Sequence, residues 1–284
     1  MSFGAAAAPA RSVIPPQISM DVEFTQLSDL GRVRQGNEDY LGHAAPSAPE
    51  RIRSHGWLFV LADGVGGHDL GEVASRTAVE SVIGSFLDAP AGTSHTSLLG
   101  RAIQTANRQV IDAGHASESG GTSMATTIVA CALRYDRATI AHVGDSRCYL
   151  IRRGQASLLT RDHTIANEHV KLGLLSADEV ENSPNKHILS RCLGGDLIVG
   201  AETSEHQVFA EDVLLLCSDG LHGSVTGSEM AAVAGNGADL SRAAQRLVDL
   251  ANQRDGSDNI SVLLIRVRSV ERVGIYRGRP YLLR

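Results

Sequence analysis

Apolar residues along the chain follow two rhythms. Short runs rich in Val, Ile and Leu occur at 57–62, 122–133, 138–143, 148–151, 212–217 and 259–267, each bounded by Gly, Asp or Arg. Such runs predict buried strands. Elsewhere the spacing is helical. Leu98, Leu99, Ala102, Ile103, Ala106 and Val110 share one face, as do Leu240, Ala243, Ala244, Leu247 and Ala251. The 72–87 segment reads the same way, and Thr226 with Glu229 forms a capping box opening a short helix.

The order of these elements restricts the fold. Two helices follow one another between the strand at 57–62 and the run from 122, and the next three strands have short links, unlike the strict strand–helix alternation of a parallel sheet. The pattern predicts an α+β fold, an antiparallel β-sandwich flanked by helices. The polar, helix-prone stretch 163–185 lies between strand regions and reads as a helical flap over a site, spanning about 162–187. Segments 42–55 and 89–97 read as surface loops. Residues 1–20 read as a flexible leader, 21–268 as the folded unit and 269–284 as a basic tail, which from Val270 holds four arginines against one glutamate.

Composition narrows the function classes. With 284 residues and 43% hydrophobic content the chain can bury a large core, which excludes a disordered or low-complexity class. A net charge of -6, with only Lys171 and Lys186 as lysines, gives no electrostatic reason for nucleic-acid binding. No run approaches the ~18 apolar residues a membrane span needs, and the start of the chain lacks the basic head and greasy segment of a signal peptide. Cys131, Cys148, Cys192 and Cys217 show no paired spacing and read as reduced thiols of a cytoplasmic protein.

The acids carry the chemistry. Asp63 follows WLFVLA, Asp145 follows ATIAHVG, Asp219 follows VLLLCS, and Asp258 precedes NISVLLIRV; Glu38 and Asp39 stand in VRQGNEDY. One Asp beside Gly after a strand is ordinary turn chemistry. If antiparallel pairing gathers several at one edge, their repulsion requires protons or cations. All-oxygen ligation suits magnesium or manganese, whereas the His and Cys residues show no zinc-like spacing. Two such cations acidify water and stabilise an in-line displacement at phosphorus. His142 reads as a packed, hydrogen-bonded core residue. Cys131 and Arg137 have the spacing of a cysteine-dependent phosphatase, but the residues between them read as a strand end and turn rather than an amide-rich thiolate loop.

The strings VRQGNEDY, LADGVGGH, HVGDSR, LCSDGL and GSDNISV, with GGTSMATTIVA, DHT and HILSRCLGG in support, resemble in order and spacing the metal-dependent, type 2C Ser/Thr protein phosphatases, in their compact bacterial form. The resemblance implies that Asp63 bridges two Mg²⁺ or Mn²⁺ ions and that the Gly64 carbonyl ligates one. It implies that Asp219 and Asp258 complete the first ion's shell and that Glu38 and Asp39 support the second. Asp145, with Asp219, would hold a weaker third; Arg34, close to the acidic pair, would grip the substrate phosphate bidentately, and His68 in DGVGGH would donate a proton to the departing oxygen. The implied reaction is hydrolysis of phosphoserine and phosphothreonine by a metal-bridging water or hydroxide, without a phosphoenzyme. The implied partners are phosphoproteins and an opposing bacterial Ser/Thr kinase, around a cytoplasmic monomer with no membrane span. The alternative is a phosphatase-like binding module without turnover, whose mark would be loss of Asp63, Asp219 or Asp258; all three are present.

Overall fold

The computed structural model describes residues 19–65, 69–116, 124–235, 237–276 and 279–282. In chain order the first half runs β1 (Asp21–Asp29), β2 (Asp39–Ala44), α1 (Pro49–Ser54), β3 (Trp57–Val65), α2 (Asp69–Leu87), α3 (His95–Ala116), β4 (Ala125–Thr126) and β5 (Ile128–Arg134). Then come β6 (Arg137–Val143), β7 (Arg147–Arg152), β8 (Gln155–Leu158), α4 (Ile165–Lys171) and a 3-10 turn (Ala177–Asn182). The chain continues through β9 (Glu202–Gln207), β10 (Val213–Cys217), α5 (Asp219–His222), α6 (Gly227–Ala234), α7 (Leu240–Arg254) and β11 (Ile260–Ser269). A hairpin of β12 (Val273–Tyr276) and β13 (Arg279–Leu282) follows.

Two antiparallel sheets face each other. One has the order β1-β11-β10-β7-β8, the other β2-β3-β5-β6-β9 with β4 paired to β3. Alternation along each strand builds the layers. On β3, Phe59 and Leu61 enter the core between the sheets with Cys131, Ile140, Leu216 and Leu263, while Leu58, Val60 and Ala62 face α2 and α3. On β11, Val262 and Leu264 face α7. Helix–sheet–sheet–helix layering therefore follows from strands apolar on both sides.

Local chemistry fixes the connections. Arg153 and Gly154 adopt φ +52° and +77°, the left-handed pair that a two-residue hairpin between β7 and β8 requires. Helix α6 opens on the expected Thr226–Glu229 capping box, and the Asp239 side chain caps α7 by accepting the Arg242 N–H at 2.9 Å.

Two expectations are corrected. Segment 42–55 is not one loop, because β2 runs to Ala44 and Pro49 opens α1. The apolar run from 122 is divided at Thr127 into β4 and β5, its first two residues lying outside the described ones. Strands β1 and β9 left no apolar run to find. Both are edge strands, bonded on one side only, and β9 reads ETSEHQ. Beyond β11, the arginine-rich segment holds the β12–β13 hairpin.

Candidate metal centre

The acidic residues converge where ends of both sheets meet. In the β2–β3 register Asp39 stands opposite Asp63. In the other sheet, pairing of Cys217 with Val262 brings the start of α5 beside the residues before β11, and so Asp219 beside Asp258. The β6–β7 turn adds Asp145. A cavity of about 620 Å³ is bordered by Arg34, Glu38, Asp63, Gly64, Asp145, Asp219 and Asp258. Asp39 sits beneath it, held by the Ser218 hydroxyl, which donates to its Oδ2 at 2.7 Å. The two halves of the acidic pair thus differ: Glu38 meets the cavity, and Asp39 is buried under it.

Hydroxyl and carboxamide groups hold this framework. The Asp63 N–H donates to Thr127 Oγ1 at 3.0 Å, and Thr127 Oγ1 lies 2.7 Å from Ser146 Oγ, tying the end of β3 to the Asp145 turn. The Asp63 carbonyl accepts from Thr126 Oγ1 at 2.8 Å. The Asn259 carboxamide donates to the carbonyls of Leu30 and Gly36 at 2.9 and 3.1 Å and accepts the Glu38 N–H. That one side chain fastens the loop carrying Arg34. Gly64 is required by close approach, since a Cβ there would lie 2.3 Å from the Gly71 carbonyl oxygen.

Electrostatics marks the cluster as a cation site. Burial, opposed by the hydroxyls of Ser261 and Ser218 and reinforced by Asp219 and Asp258, raises the Asp39 carboxyl to about 7. Asp145 is likewise pushed up to about 7, first by burial and then by Asp219 and Asp162. Asp63 is raised well above the carboxylate range by burial and by four neighbouring aspartates. Burial and then Asp258 raise Asp219, which shares a hydrogen bond with Asp63. Buried carboxyls that repel one another hold protons unless cations replace them. Oδ1 of Asp39 is buried and has no hydrogen-bond partner among the described residues. An orphaned oxygen amid a donor set dominated by carboxylates fits Mg²⁺ or Mn²⁺ better than zinc, although His187 and Cys192 border the same cavity.

Arg34 supplies the opposing charge. Its Nη2 donates to Asp258 Oδ2 at 2.7 Å and its Nη1 lies 3.8 Å from Glu38. The Asp258 hydrogen bond raises the guanidinium pKa further, so the group remains charged. His68 lies outside the described residues. The flap carries α4 and the 3-10 turn, and its returning segment places His187, Ile188 and Leu189 along the cavity, with Cys192 beyond them. A second cavity of about 430 Å³ continues under the flap past Asp145, Arg147, Asp162 and Lys186.

Sequence reasoning missed Asn259, Thr127 and Ser146. For Asn259 and Ser146 the signal was adjacency, since each follows an acid of the site within its string, whereas Thr127 stands in GGTSMATTIVA, which carries no acid. It also missed a gathering of His142, His163 and Glu202, whose ligand atoms lie within 4.8 Å of one another. Those residues come from β6, the flap base and β9, so no sequence spacing announces them. His142 is buried as expected, its Nε2 2.9 Å from the Arg161 carbonyl.

Comparison with known proteins identifies the family. The profile described as Protein phosphatase 2C matches residues 35–263. The Serine/threonine phosphatase stp of Listeria welshimeri is 35% identical over 263 residues, covering 92% of this chain and 99% of its own. A solved serine/threonine phosphatase of S. agalactiae is 32% identical with a TM-score of 0.79, covering 87% of this chain and all of its own. The catalytic domain of the serine threonine protein phosphatase PstP, solved in complex with 2 manganese ions, is 31% identical with a TM-score of 0.73, covering 88% of this chain and 100% of its own.

Proposed function

The chain belongs to the protein phosphatase 2C family and is a Ser/Thr protein phosphatase, and from that premise we propose how its own residues divide the work. Mg²⁺ or Mn²⁺ would be held by Asp63, the Gly64 carbonyl, Asp219 and Asp258, with Glu38 and Asp39 supporting a second ion and Asp145 with Asp219 a weaker third. The two manganese ions in the PstP structure support the choice of cation. When bound, the cations supply Lewis acidity to water and positive charge opposite the phosphoryl oxygens.

The protein supplies position. Arg34 binds two phosphoryl oxygens from the cavity rim, and Asp258 holds its guanidinium ready for them. Asp39, buried and fixed by Ser218, would carry its negative charge under the site once cations offset the neighbouring aspartates. Water attacks phosphorus in a single displacement and the serine or threonine oxygen leaves; His68 is the proposed proton donor to it. No protein nucleophile takes part. Cys131 is fully buried between the sheets, and burial pushes its thiol pKa up, opposite to what a nucleophile needs.

The observation that carries this reading is the convergence of Asp63, Asp219 and Asp258 with Arg34 on one cavity. The test is manganese-dependent hydrolysis of a phosphothreonine peptide, abolished by chelator and by Asp219→Ala. Purified protein that binds the peptide yet never turns it over in manganese is a binding module instead. We assign the catalytic unit to residues 21–268 and propose phosphoproteins made by a bacterial Ser/Thr kinase as substrates. No helix among the described residues is long and apolar enough to cross a membrane; a cytoplasmic monomer is the proposed form, checked by fractionation and sedimentation.

A further inference from the structure

His163 lies at the base of the flap, 1% exposed, and bonds in four directions. Its backbone N–H donates to the Gly144 carbonyl at 2.9 Å, and its carbonyl accepts the Ser190 N–H at 2.8 Å. Its Nδ1 accepts the Gly144 N–H at 3.2 Å. With Nδ1 an acceptor, the ring proton resides on Nε2, which faces Glu202 Oε2 at 3.4 Å. The ring also stacks on His142, centroids 4.7 Å apart and planes at 15°.

The partners define what this arrangement controls. Gly144 has φ +102° and directly precedes Asp145, so its peptide bonds set where that carboxylate sits. Ser190 directly follows residues 187–189, which border the cavity on the chain's return from the flap. Thr164 and Leu189 form an isolated bridge across the flap's neck. We propose that His163 is a positioning residue, clamping the Gly144–Asp145 turn to both ends of the flap so that one imidazole sets the place of the Asp145 carboxylate and of the flap edge together. The inference rests on the proposed roles of Asp145 and the flap at the phosphatase site.

A transition-metal site at His142, His163 and Glu202 is the competing use. A shared ion must lie in the plane of each ligating imidazole, but these planes are nearly parallel and offset. Nδ1 of His163 is already engaged, and the Glu202 oxygen also accepts from Arg161 Nη2 at 3.0 Å. A cation there would displace a guanidinium. Burial and the neighbouring His142 lower the His163 pKa to about 4, so the clamp is neutral and keeps its acceptor at physiological pH.

The test compares His163→Ala, His163→Asn and the partly exposed Glu202→Ala with the full-length wild type. In metal-free protein, hydrogen exchange at residues 144–146 and 164–189 is expected to quicken about tenfold in His163→Ala, as lost local hydrogen bonds predict, while the sheets keep wild-type protection. Asn offers an oxygen near the Nδ1 position and is expected to restore most of the protection. Glu202→Ala is expected to show the same regional pattern more weakly, and it serves where His163→Ala fails to fold. In manganese, KM for a phosphothreonine peptide is expected to rise about fivefold more than KM for p-nitrophenyl phosphate, because only the peptide reaches the flap edge. Unchanged exchange in both segments, or a uniform rise over the whole molecule, overturns the proposal. So does zinc raising the melting temperature of wild type but not of His163→Ala. Exchange requires no turnover, so a wild type inactive on both substrates overturns the phosphatase reading separately.

Discussion

Asn259 Oδ1 accepts the backbone N–H of Glu38 at 2.8 Å, joining the residue before β11 to the acidic pair 221 positions earlier in the chain. Its amide nitrogen meanwhile satisfies two carbonyls of the 30–36 loop. Asn259→Ala orphans three backbone groups, each costing about 1–3 kcal/mol if left dry, so denaturant unfolding should show a loss of roughly 2–4 kcal/mol after relaxation. Phosphopeptide turnover should fall more than stability alone explains, because Arg34 loses its support.

Removing cations should destabilise the protein, and more so as pH rises. Asp39 and Asp145 are raised to about 7 in the folded chain, against about 3.9 unfolded. Between those values the folded state binds more protons than the unfolded one, so metal-free stability falls as pH climbs from about 4 through 7. Relaxation leaves an effect on the order of 2–4 kcal/mol. Thermal melts with chelator should show that slope, and manganese should flatten it. Asp39→Asn should raise metal-free stability at pH 8 while abolishing activity; a metal-free protein equally stable at pH 5 and pH 8 contradicts the account.

Gly64→Ala tests the close approach at the end of β3. The added methyl meets two backbone oxygens, Gly71 O at 2.3 Å and Glu38 O at 2.8 Å, and neither can swing aside. Activity should drop about a hundredfold, with a stability loss of about 2–4 kcal/mol by chemical denaturation.

How much of this was legible from the chain depended on the source of each signal. Asp63, Asp145, Asp219 and Asp258 announced themselves because an apolar run next to an acid marks a buried strand's end. The central strands were legible for the same reason. Strand β9 was not, since an edge strand buries little and its ETSEHQ carries no periodicity. Asn259 was illegible as a function because its work is done on backbone groups, which no sequence displays. The His142–His163 stack required the fold itself, as the two rings come from a strand and from the flap's base.

Acid should expose a different weakness. His95 is buried against Phe86, with Nε2 2.7 Å from the His55 carbonyl, and burial, then Arg134, lower its pKa to about 4. The unfolded chain binds this proton near pH 6.5, so stability is lost as pH falls from about 6.5 to 4. At pH 5 the contribution is about 1–2 kcal/mol. His95→Gln should reduce the drop in melting temperature between pH 7.5 and pH 5; an identical drop refutes the assignment.

Thiols should prove dispensable. Cys131→Ser should retain kcat, since the residue lies inside the sandwich away from the cavity. Cys192→Ser should also turn over, although alkylating the wild-type Cys192 should block peptide entry because that side chain borders the cavity. A folded but inactive Cys131→Ser would restore a covalent mechanism.

The pairing of β1 with β11 has a topological consequence. Asp29 lies opposite Ile260, beside the acidic cluster, whereas Asp21 lies opposite Ser269 at the other end of the same ladder. Nine residues of strand at about 3.4 Å each separate those ends by roughly 27 Å. The two ends of the folded unit therefore emerge side by side, remote from the phosphate-binding mouth. Joining them through a short linker and opening the chain in the 89–94 connection makes a circular permutant in which every cation-binding position keeps its neighbours. Cargo fused at that pole leaves the entrance for substrate unobstructed.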